Sequence, residues 1–193
     1  MRRIYQLKCI LESSKEANIE LIIQGCIKKN EKSQEILYKK FFGYSLSVAL
    51  IYNHQRSEAL EVVNDSFVKV FSKIGKYDTS KPFQGWLRKI VINTSIDKLR
   101  RKNKDHLFVE TEKYQIQDET PNSISNLAAQ DIIEILNLLP HFHKTVFCLY
   151  EIEGYSHEEI AEQLGIPISS SRVYLTRAKQ KLRELFPVSD LQG

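Results

Sequence analysis

Apolar residues along most of this chain recur at the three- and four-residue spacing that places them on one side of a helix. Between Leu60 and Ile74 this spacing is especially clear, and Gly75 ends it. The same pattern predicts eight helices, at about 19–27, 36–53, 57–74, 83–102, 126–139, 141–152, 157–164 and 169–186. No segment alternates convincingly between apolar and polar positions as a half-buried strand would. The predicted fold class is therefore all-α.

A polar, acidic segment separates the first four predicted helices from the last four. From Asp105 to Asp131 there are six acidic residues and one basic residue, Lys113, and Pro121 lies within the same stretch. Because apolar periodicity is missing here, we expect a flexible acidic linker over 104–125. The linker would join two small helical domains, at 18–103 and 126–187. Residues 1–17 form an N-terminal extension without an assignment, and residues 188–193 form a C-terminal tail.

Composition excludes several classes of protein. The chain has 193 residues, of which 42% are hydrophobic and 27% charged, so it can bury a core and is not disordered as a whole. No apolar stretch approaches the roughly 20 residues that cross a bilayer. Lys8 and Glu12 interrupt the N-terminus, which argues against a signal peptide. Cys9, Cys26 and Cys148 lack the Cys-x-x-Cys spacing of a zinc site, and we expect three reduced thiols in a cytoplasmic protein.

The net charge of +4 is unevenly distributed along the chain. Between Gly85 and Lys104 there are seven basic residues and one acidic residue, and between Ser169 and Arg183 there are five basic residues and none that is acidic. A single basic tract is usually a solvated helix face. Two separate tracts, each ending an amphipathic helix, favour a nucleic-acid partner.

The second basic tract follows a helix-turn-helix pattern. Ser156 and Glu159 have the spacing of a capping box, in which each side chain bonds the backbone of the other residue. Gly165 suits the end of the short helix that follows, and Ser169 or Ser170 can cap the next one. A short helix, a turn with glycine and a longer basic helix are typical of this motif.

The longer helix has two chemically different faces. Its predicted core face contains Ser171, Leu175, Ala178, Leu182 and Leu185. Its opposite face contains Ser169, Arg172, Val173, Thr176, Arg177 and Gln180. Guanidinium, amide and methyl groups on one face are what a major-groove reader needs, because they complement guanine, adenine and thymine edges. The same pattern also occurs in helix pairs that do not bind DNA.

The predicted helix at 83–102 carries an unusual stripe. Trp86, Lys89, Asn93 and Arg100 lie within about 60° of one another around the helix, and Tyr77 begins the loop before it. An aromatic ring, an amide and cations together suit unstacked bases and their backbone. The alternative is that Trp86 lies in the core while Lys89 and Arg100 are merely solvated.

Several segments together resemble the extracytoplasmic-function (group 4) sigma factors of bacterial RNA polymerase. The resemblance covers about 18–186. It rests on five segments in family order and spacing: NDSFVKVF at 64–71, FQGWLRKIVINTSIDKLRR at 83–101, LP at 139–140, YSHEEIA at 155–161 and LGI at 164–166. The two-domain architecture looks like this minimal class, with a sigma-2-like and a sigma-4-like domain.

The resemblance implies a factor that binds core polymerase, reads minus-35 and minus-10 promoter elements and helps melt DNA. It implies that the β′ clamp helices dock on Asn64, Asp65, Phe67 and Lys69. It implies minus-10 contacts from Tyr77, Trp86, Lys89, Asn93, Lys98, Arg100 and Arg101, with Tyr77 and Asn93 holding a flipped base. It implies minus-35 contacts from Ser169, Arg172, Val173, Thr176, Arg177, Gln180 and Lys181. The β flap, promoter DNA and an anti-sigma factor are further implied partners.

Two positions depart from the family pattern. Ser171 stands where many relatives have an apolar residue, and Tyr174 stands where a basic residue is common. The preferred minus-35 sequence therefore does not carry over from the family.

Two other classes of function compete with this interpretation. A helix-turn-helix repressor or activator would bind duplex DNA without polymerase, but would leave the helix at 83–102 without a role. An enzyme would need a reactive cluster, and only His141-x-His143 and His157-Glu158-Glu159 are candidates. The first pair points in opposed directions on a helix, and the second is not a His-Glu-x-x-His zinc motif. We expect no enzymatic activity, catalytic residue, cofactor, metal or small-molecule substrate.

Overall fold

The computed structural model describes residues 19–105 and 127–185. Most of the predicted linker lies outside the described residues, as do the predicted N-terminal extension and C-terminal tail. Within the described ranges the chain forms helices and no strand, so the all-α prediction is confirmed.

The described helices fall into two groups along the chain. The first group consists of α1 (19–27), α2 (Glu31–Tyr52), α3 (Arg56–Lys73), a short 3₁₀ turn (Ile74–Lys76) and α4 (Phe83–Asp105). The second group consists of α5 (Leu127–Asn137), α6 (His141–Phe147), a π-helical turn (Cys148–Ile152), α7 (His157–Leu164) and α8 (Ile168–Leu185). Seven of these helices start within a few residues of the predicted positions, and α2 is the exception.

Helix α2 begins five residues before the apolar pattern that predicts it. Lys29 has a left-handed backbone conformation with a φ of 59°, which separates α2 from α1. The Asn30 side chain then accepts a hydrogen bond from the Ser33 amide at 3.0 Å and caps the new helix. A helix starts at its cap, whereas the apolar pattern begins only where the helix first faces the core.

The first group packs around an apolar core in which α2, α3 and α4 contact one another. Leu37, Val63 and Leu87 have no exposed surface, and each contributes roughly 1.5–3 kcal/mol by burial. Asn53 is a buried polar link at the end of α2. Its amide donates to the Ala49 carbonyl at 2.7 Å and to the Ser95 hydroxyl of α4 at 3.2 Å. The hydrogen bond from Asn53 to Ser95 fixes the end of α2 against α4.

In the second group the predicted span 141–152 is helical throughout, and its last part, Cys148–Ile152, is a widened π turn. After α6 the Glu153 amide donates to the Cys148 carbonyl at 3.1 Å, five residues back, and the Tyr155 amide donates to the Leu149 carbonyl at 3.0 Å. Gly154 follows with a φ of 75°. The extra residue in this π turn, together with Gly154, turns the chain toward α7.

The two helical groups contact each other. Helices α5 and α6 lie against α2, and α7 lies against α4. The buried apolar cluster is continuous across both groups.

Candidate nucleic-acid interface

Local hydrogen bonds set the turn between α7 and α8. The Ser156 hydroxyl accepts from the Glu159 amide at 3.2 Å, and the Glu159 carboxylate accepts from the Ser156 amide at 2.8 Å, so the predicted capping box is present. These bonds lower the pKa of the Glu159 carboxyl. Gly165 ends α7 with a φ of 67°, where a side chain would be strained.

Helix α8 begins earlier than its predicted serine cap. Its first residue is Ile168, and the Ser171 amide donates to the Pro167 carbonyl at 3.2 Å. Ser169 and Ser170 therefore lie within the first turn instead of capping it. Proline is well suited to the start of a helix, because its fixed φ is helical and its missing N–H has no partner to lose there.

The outer face of α8 is accessible along its whole length. The predicted minus-35 residues on it are all exposed: Ser169, Arg172, Val173, Thr176, Arg177, Gln180 and Lys181. Arg172 lies 3.6 Å from the Glu158 carboxylate, and both side chains are largely exposed. Such a surface pair is weak and readily exchanged for a phosphate. This face is exposed, and its role in minus-35 recognition stays a prediction.

The inner face of α8 explains the unusual Ser171. Ser171, Leu175 and Ala178 are buried as predicted. The Ser171 hydroxyl is hydrogen-bonded to Nδ1 of His157, the first residue of α7, at 2.9 Å. The His157 ring also stacks on Tyr150, with ring centroids 4.6 Å apart. The hydroxyl that departs from the family pattern therefore has a partner and links the two helices of the motif.

The other departure, Tyr174, points away from the exposed face. It is half-buried, and its ring lies 5.9 Å from Phe142 and 5.1 Å from His143 between centroids. Tyr174 packs α8 on α6 and does not replace a basic DNA contact.

An aromatic cluster stands at the start of α4. Trp86 is half-buried, with its ring centroid 5.6 Å from Phe83 and 5.3 Å from Tyr77. The Tyr77 hydroxyl donates to the Lys81 carbonyl, and burial raises its pKa. Trp86 and Tyr77 thus pack on the core with one side while keeping part of their surface exposed. Trp86 is therefore partly a core residue and partly accessible to a ligand, so each of the two interpretations of this stripe holds in part.

The remaining predicted minus-10 residues lie further along α4. Lys89, Asn93, Arg100 and Arg101 are exposed. Arg100 lies 3.3 Å from the Asp97 carboxylate. Lys98 is less accessible, because it forms an ion pair with Glu61 of α3. Four polar side chains on this face are therefore open to a ligand, and Lys98 is partly neutralised.

Of the residues implied in polymerase docking, Asn64 and Asp65 are exposed on α3. The Asn64 side chain accepts a hydrogen bond from the Tyr38 hydroxyl at 3.0 Å. Phe67 is only 2% exposed and packs against Tyr38, with ring centroids 4.7 Å apart. The structure thus places Phe67 beneath the surface, because its position on α3 faces the core.

Lys69 also turns away from the outer side of α3. Its amine donates to the Thr94 hydroxyl at 3.1 Å and to the Asp97 carboxylate at 3.2 Å, both on α4. It borders a cavity of about 380 Å³ between α3, α4 and α7. The polar side chains that line this cavity include Lys69, Lys73, Asn93, Arg100 and Gln163. We name it the α3–α4 cavity.

Sequence reasoning missed Lys73 and Gln163 at this cavity. Lys73 could have been found, since it lies four residues after Lys69 on the same helix face. No sequence feature marks Gln163 as a cavity residue, because its position beside Asn93 and Arg100 depends on how α7 packs against α4.

Among the described residues, no group of three or more His, Cys, Asp or Glu side chains is placed to hold a metal ion. None of the described helices combines the length and the apolar character needed to cross a membrane.

Comparison with known proteins places both helical groups in one family. A model described as Sigma-70 region 2 matches residues 37–105, and one described as Sigma-70, region 4 matches residues 129–182. The chain is 31% identical over 147 residues to the ECF RNA polymerase sigma factor SigE of Mycolicibacterium smegmatis, covering 73% of this chain and 56% of that protein. The chain thus spans little more than half the length of that relative.

Two further relatives are similar over more of their length. The ECF RNA polymerase sigma factor SigW of Bacillus subtilis is 24% identical over 189 residues, covering 86% of this chain and 97% of that protein. The solved structure of the sigma factor RpoE in complex with the anti-sigma factor NepR from Bartonella quintana has a TM-score of 0.47 and 22% identity, covering 80% of this chain and 98% of that one.

Two helical groups, each with an exposed polar helix face and each matching a conserved sigma region, define a two-part transcription factor. The chain belongs to the sigma-70 family and is an extracytoplasmic-function sigma factor of bacterial RNA polymerase.

Proposed function

We propose that this sigma factor binds core RNA polymerase and directs promoter-specific initiation through two separate DNA contacts, without catalytic activity of its own. The observation that carries the proposal is the pair of exposed polar faces on α4 and α8, one in each segment matched by a sigma-70 region. It would act in the cytoplasm, where the polymerase works.

The outer face of α8 would read the minus-35 element in the major groove. Arg177 can donate two hydrogen bonds to a guanine edge, and Gln180 can donate to N7 of adenine while accepting from its N6 amino group. Val173 offers a methyl surface for thymine. Arg172 and Lys181 would bind phosphates and fix the position of the helix without reading sequence.

The outer face of α4 would hold the melted minus-10 strand. The half-exposed rings of Tyr77 and Trp86 offer stacking surfaces, Asn93 offers an amide for a base edge, and Arg100 and Arg101 offer cations for the backbone. Extruding a base costs roughly a few kcal/mol in lost stacking and pairing. Contacts that exist only with the extruded base would offset this cost.

Polymerase would bring the two contacts together. Asn64 and Asp65 would contribute to docking on the β′ clamp helices, with Phe67 supporting α3 from the core side, and the second domain would meet the β flap. The proposed domains are 18–103 and 126–187, joined by the acidic linker 104–125. Because both DNA contacts sit in one bound molecule, each can be modest and the pair still selective. An anti-sigma factor is a proposed regulatory partner.

Run-off transcription with purified core polymerase tests the proposal. Templates are taken from promoters whose transcripts rise when the protein is overexpressed in its host. We expect specific initiation only when both core and this protein are present. Tight binding to the same duplexes without core, with no run-off product, would instead identify a helix-turn-helix regulator.

A further inference from the structure

An apolar groove lies between the second half of α5 and the last turn of α8. Its volume is about 370 Å³, and its lining residues are Ile132, Ile135, Leu136, Leu182 and Arg183. Four of these five side chains are apolar, and Arg183 is the one charged group in the lining. We name it the α5–α8 groove.

The two helices leave part of this groove uncovered. Spacings of three and four residues place Ile132, Ile135 and Leu136 on one side of α5. Leu136 is buried and Ile135 is half-buried, but Ile132 is 57% exposed. Leu182, on the α8 side, is also only half-buried. Covering apolar surface is favourable in proportion to the area removed from water, so the groove suits an apolar segment.

The chain that follows α8 contains such a segment. Helix α8 ends at Leu185, and residues 186–193 lie outside the described residues. We name residues 186–193 the α8 extension. It has three large apolar side chains and a single charge, in the order Phe186, Val188, Asp190 and Leu191. The extension therefore combines apolar groups with one acid, as the groove combines apolar groups with one base.

The extension is long enough to reach across the groove. Pro187 disfavours a helical backbone at Phe186, so we expect the chain to leave the axis of α8 there. Three extended residues, from Leu185 to Val188, span about 10 Å, and packed helices lie roughly 8–10 Å apart. Leu182 is only about 4.5 Å back along the helix from Leu185. Phe186 can thus lie over Leu182 while Val188 reaches α5.

Attachment and charge favour the extension over a separate molecule as the occupant. Because it is joined to α8 next to the groove, its effective concentration there is on the order of millimolar. Asp190 is opposite in charge to Arg183. A second copy or another protein would have to bind from solution without this advantage.

We propose that residues 186–191 fold back over the α5–α8 groove, with Phe186 and Val188 against Leu182 and Ile132 and with Asp190 beside Arg183. The docked segment braces the end of α8 against α5. Leu182 belongs to the inner side of α8, so the outer face proposed to read DNA stays uncovered. This inference does not depend on the proposed function.

The test measures how fast an introduced thiol reacts with a neutral maleimide in the full-length chain, with Cys9 replaced by serine. Cys26 and Cys148 are buried and stay in place. Ile132→Cys places the thiol in the groove. Glu134→Cys is the matched control, because Glu134 is exposed on the same helix and does not line the groove.

Each thiol is measured with the native extension and with a serine extension, which carries the changes Phe186→Ser, Val188→Ser and Leu191→Ser. We expect the thiol at position 132 to react about tenfold more slowly with the native extension, since a segment docked about nine-tenths of the time leaves one-tenth of the molecules accessible. The thiol at position 134 should react equally fast with both extensions. Asp190→Asn should speed the reaction at position 132 by less, because it removes only the charge attraction.

A cross-link tests the contact directly with the other groove residues unchanged. Cysteines introduced at Ile132 and Val188 should form a disulfide within one molecule in dilute solution. The pair at Glu134 and Val188 should not, because a disulfide needs Cα atoms within about 7 Å.

Three results would overturn the proposal. The first is an equal reaction rate at position 132 with the native and the serine extension. The second is faster reaction at both positions with the serine extension and no cross-link at 132, which would mean that the changes only destabilise the second group. The third is protection that disappears on dilution, with cross-links between molecules, which would make a second copy of the chain the occupant.

Discussion

Lys144 in α6 is the only buried charged residue among the described residues, and it has no exposed surface. Its amine donates to the Asn137 side chain at 2.8 Å, and burial lowers its pKa from the ordinary 10.5 to about 8. Replacing Lys144 with methionine removes the charge and keeps an unbranched apolar side chain. We expect this change to stabilise the protein at neutral pH.

The magnitude follows from the pKa. At about 1.36 kcal/mol for each pH unit of difference, keeping the amine charged inside the fold costs roughly 3 kcal/mol at pH 7. Losing the hydrogen bond to Asn137 offsets about 1 kcal/mol of that. The expected net gain for Lys144→Met is therefore roughly 2 kcal/mol in the free energy of unfolding at neutral pH.

The gain should depend on pH in one direction. Between pH 8 and 10.5 the unfolded chain holds the Lys144 proton more firmly than the folded chain does, so this group makes the wild type more stable as pH rises. The advantage of Lys144→Met is complete below pH 8 and shrinks toward pH 10.5. Burial also raises the pKa of Cys148 to about 12, which makes stability fall with pH above about 9. That effect is present in both proteins and largely cancels in their difference.

Urea unfolding at pH 6.5, 7.5, 8.5 and 9.5, followed by far-ultraviolet circular dichroism, measures the difference. Lys179→Met is the control, because it makes the same substitution at a partly exposed lysine that pairs with Glu151, so no buried amine is removed. A Lys144→Met protein that is less stable than wild type at every pH, by a constant amount, would refute the reasoning. The amine would then contribute more through its bond to Asn137 than burial of its charge costs.

Three further predictions concern the DNA-reading helices. Arg177→Ala should weaken promoters that depend on the minus-35 contact by about 1–3 kcal/mol if it pairs with guanine; Arg183→Ala, on another side of α8, is the control, and equal activity of both variants on all promoters would contradict base reading. Asn93→Ala should leave polymerase affinity unchanged and reduce open-complex formation in a permanganate footprint, whereas a loss of polymerase affinity would assign Asn93 another role. In a double-mutant cycle of thermal stability, Ser171→Ala and His157→Ala should couple by about 1 kcal/mol, because each change removes the same hydrogen bond; additive effects would mean that this bond contributes nothing.

Local sequence determined most of the helices and the turn before α8. Apolar spacing marks which side of each helix faces the core, and Ser156, Glu159 and Gly165 set the ends of α7 through bonds within one turn of the chain. Helices α2 and α8 begin earlier than the apolar pattern predicts. Asn30 and Pro167 set these boundaries, and neither residue is part of that pattern. The exposed outer face of α8 was likewise predictable, since it is the complement of a buried stripe.

Only the tertiary structure decided which polar residues meet. Glu153 finds Arg88 across 65 positions of sequence, and Tyr52 across 101. Lys144 is buried on a helix whose pattern gave no warning of it, and Phe67 and Lys69 face inward or toward α4 instead of outward. Periodicity reports the side of a helix that is apolar, but not the neighbour that covers a given polar group. That neighbour depends on how whole helices pack against one another.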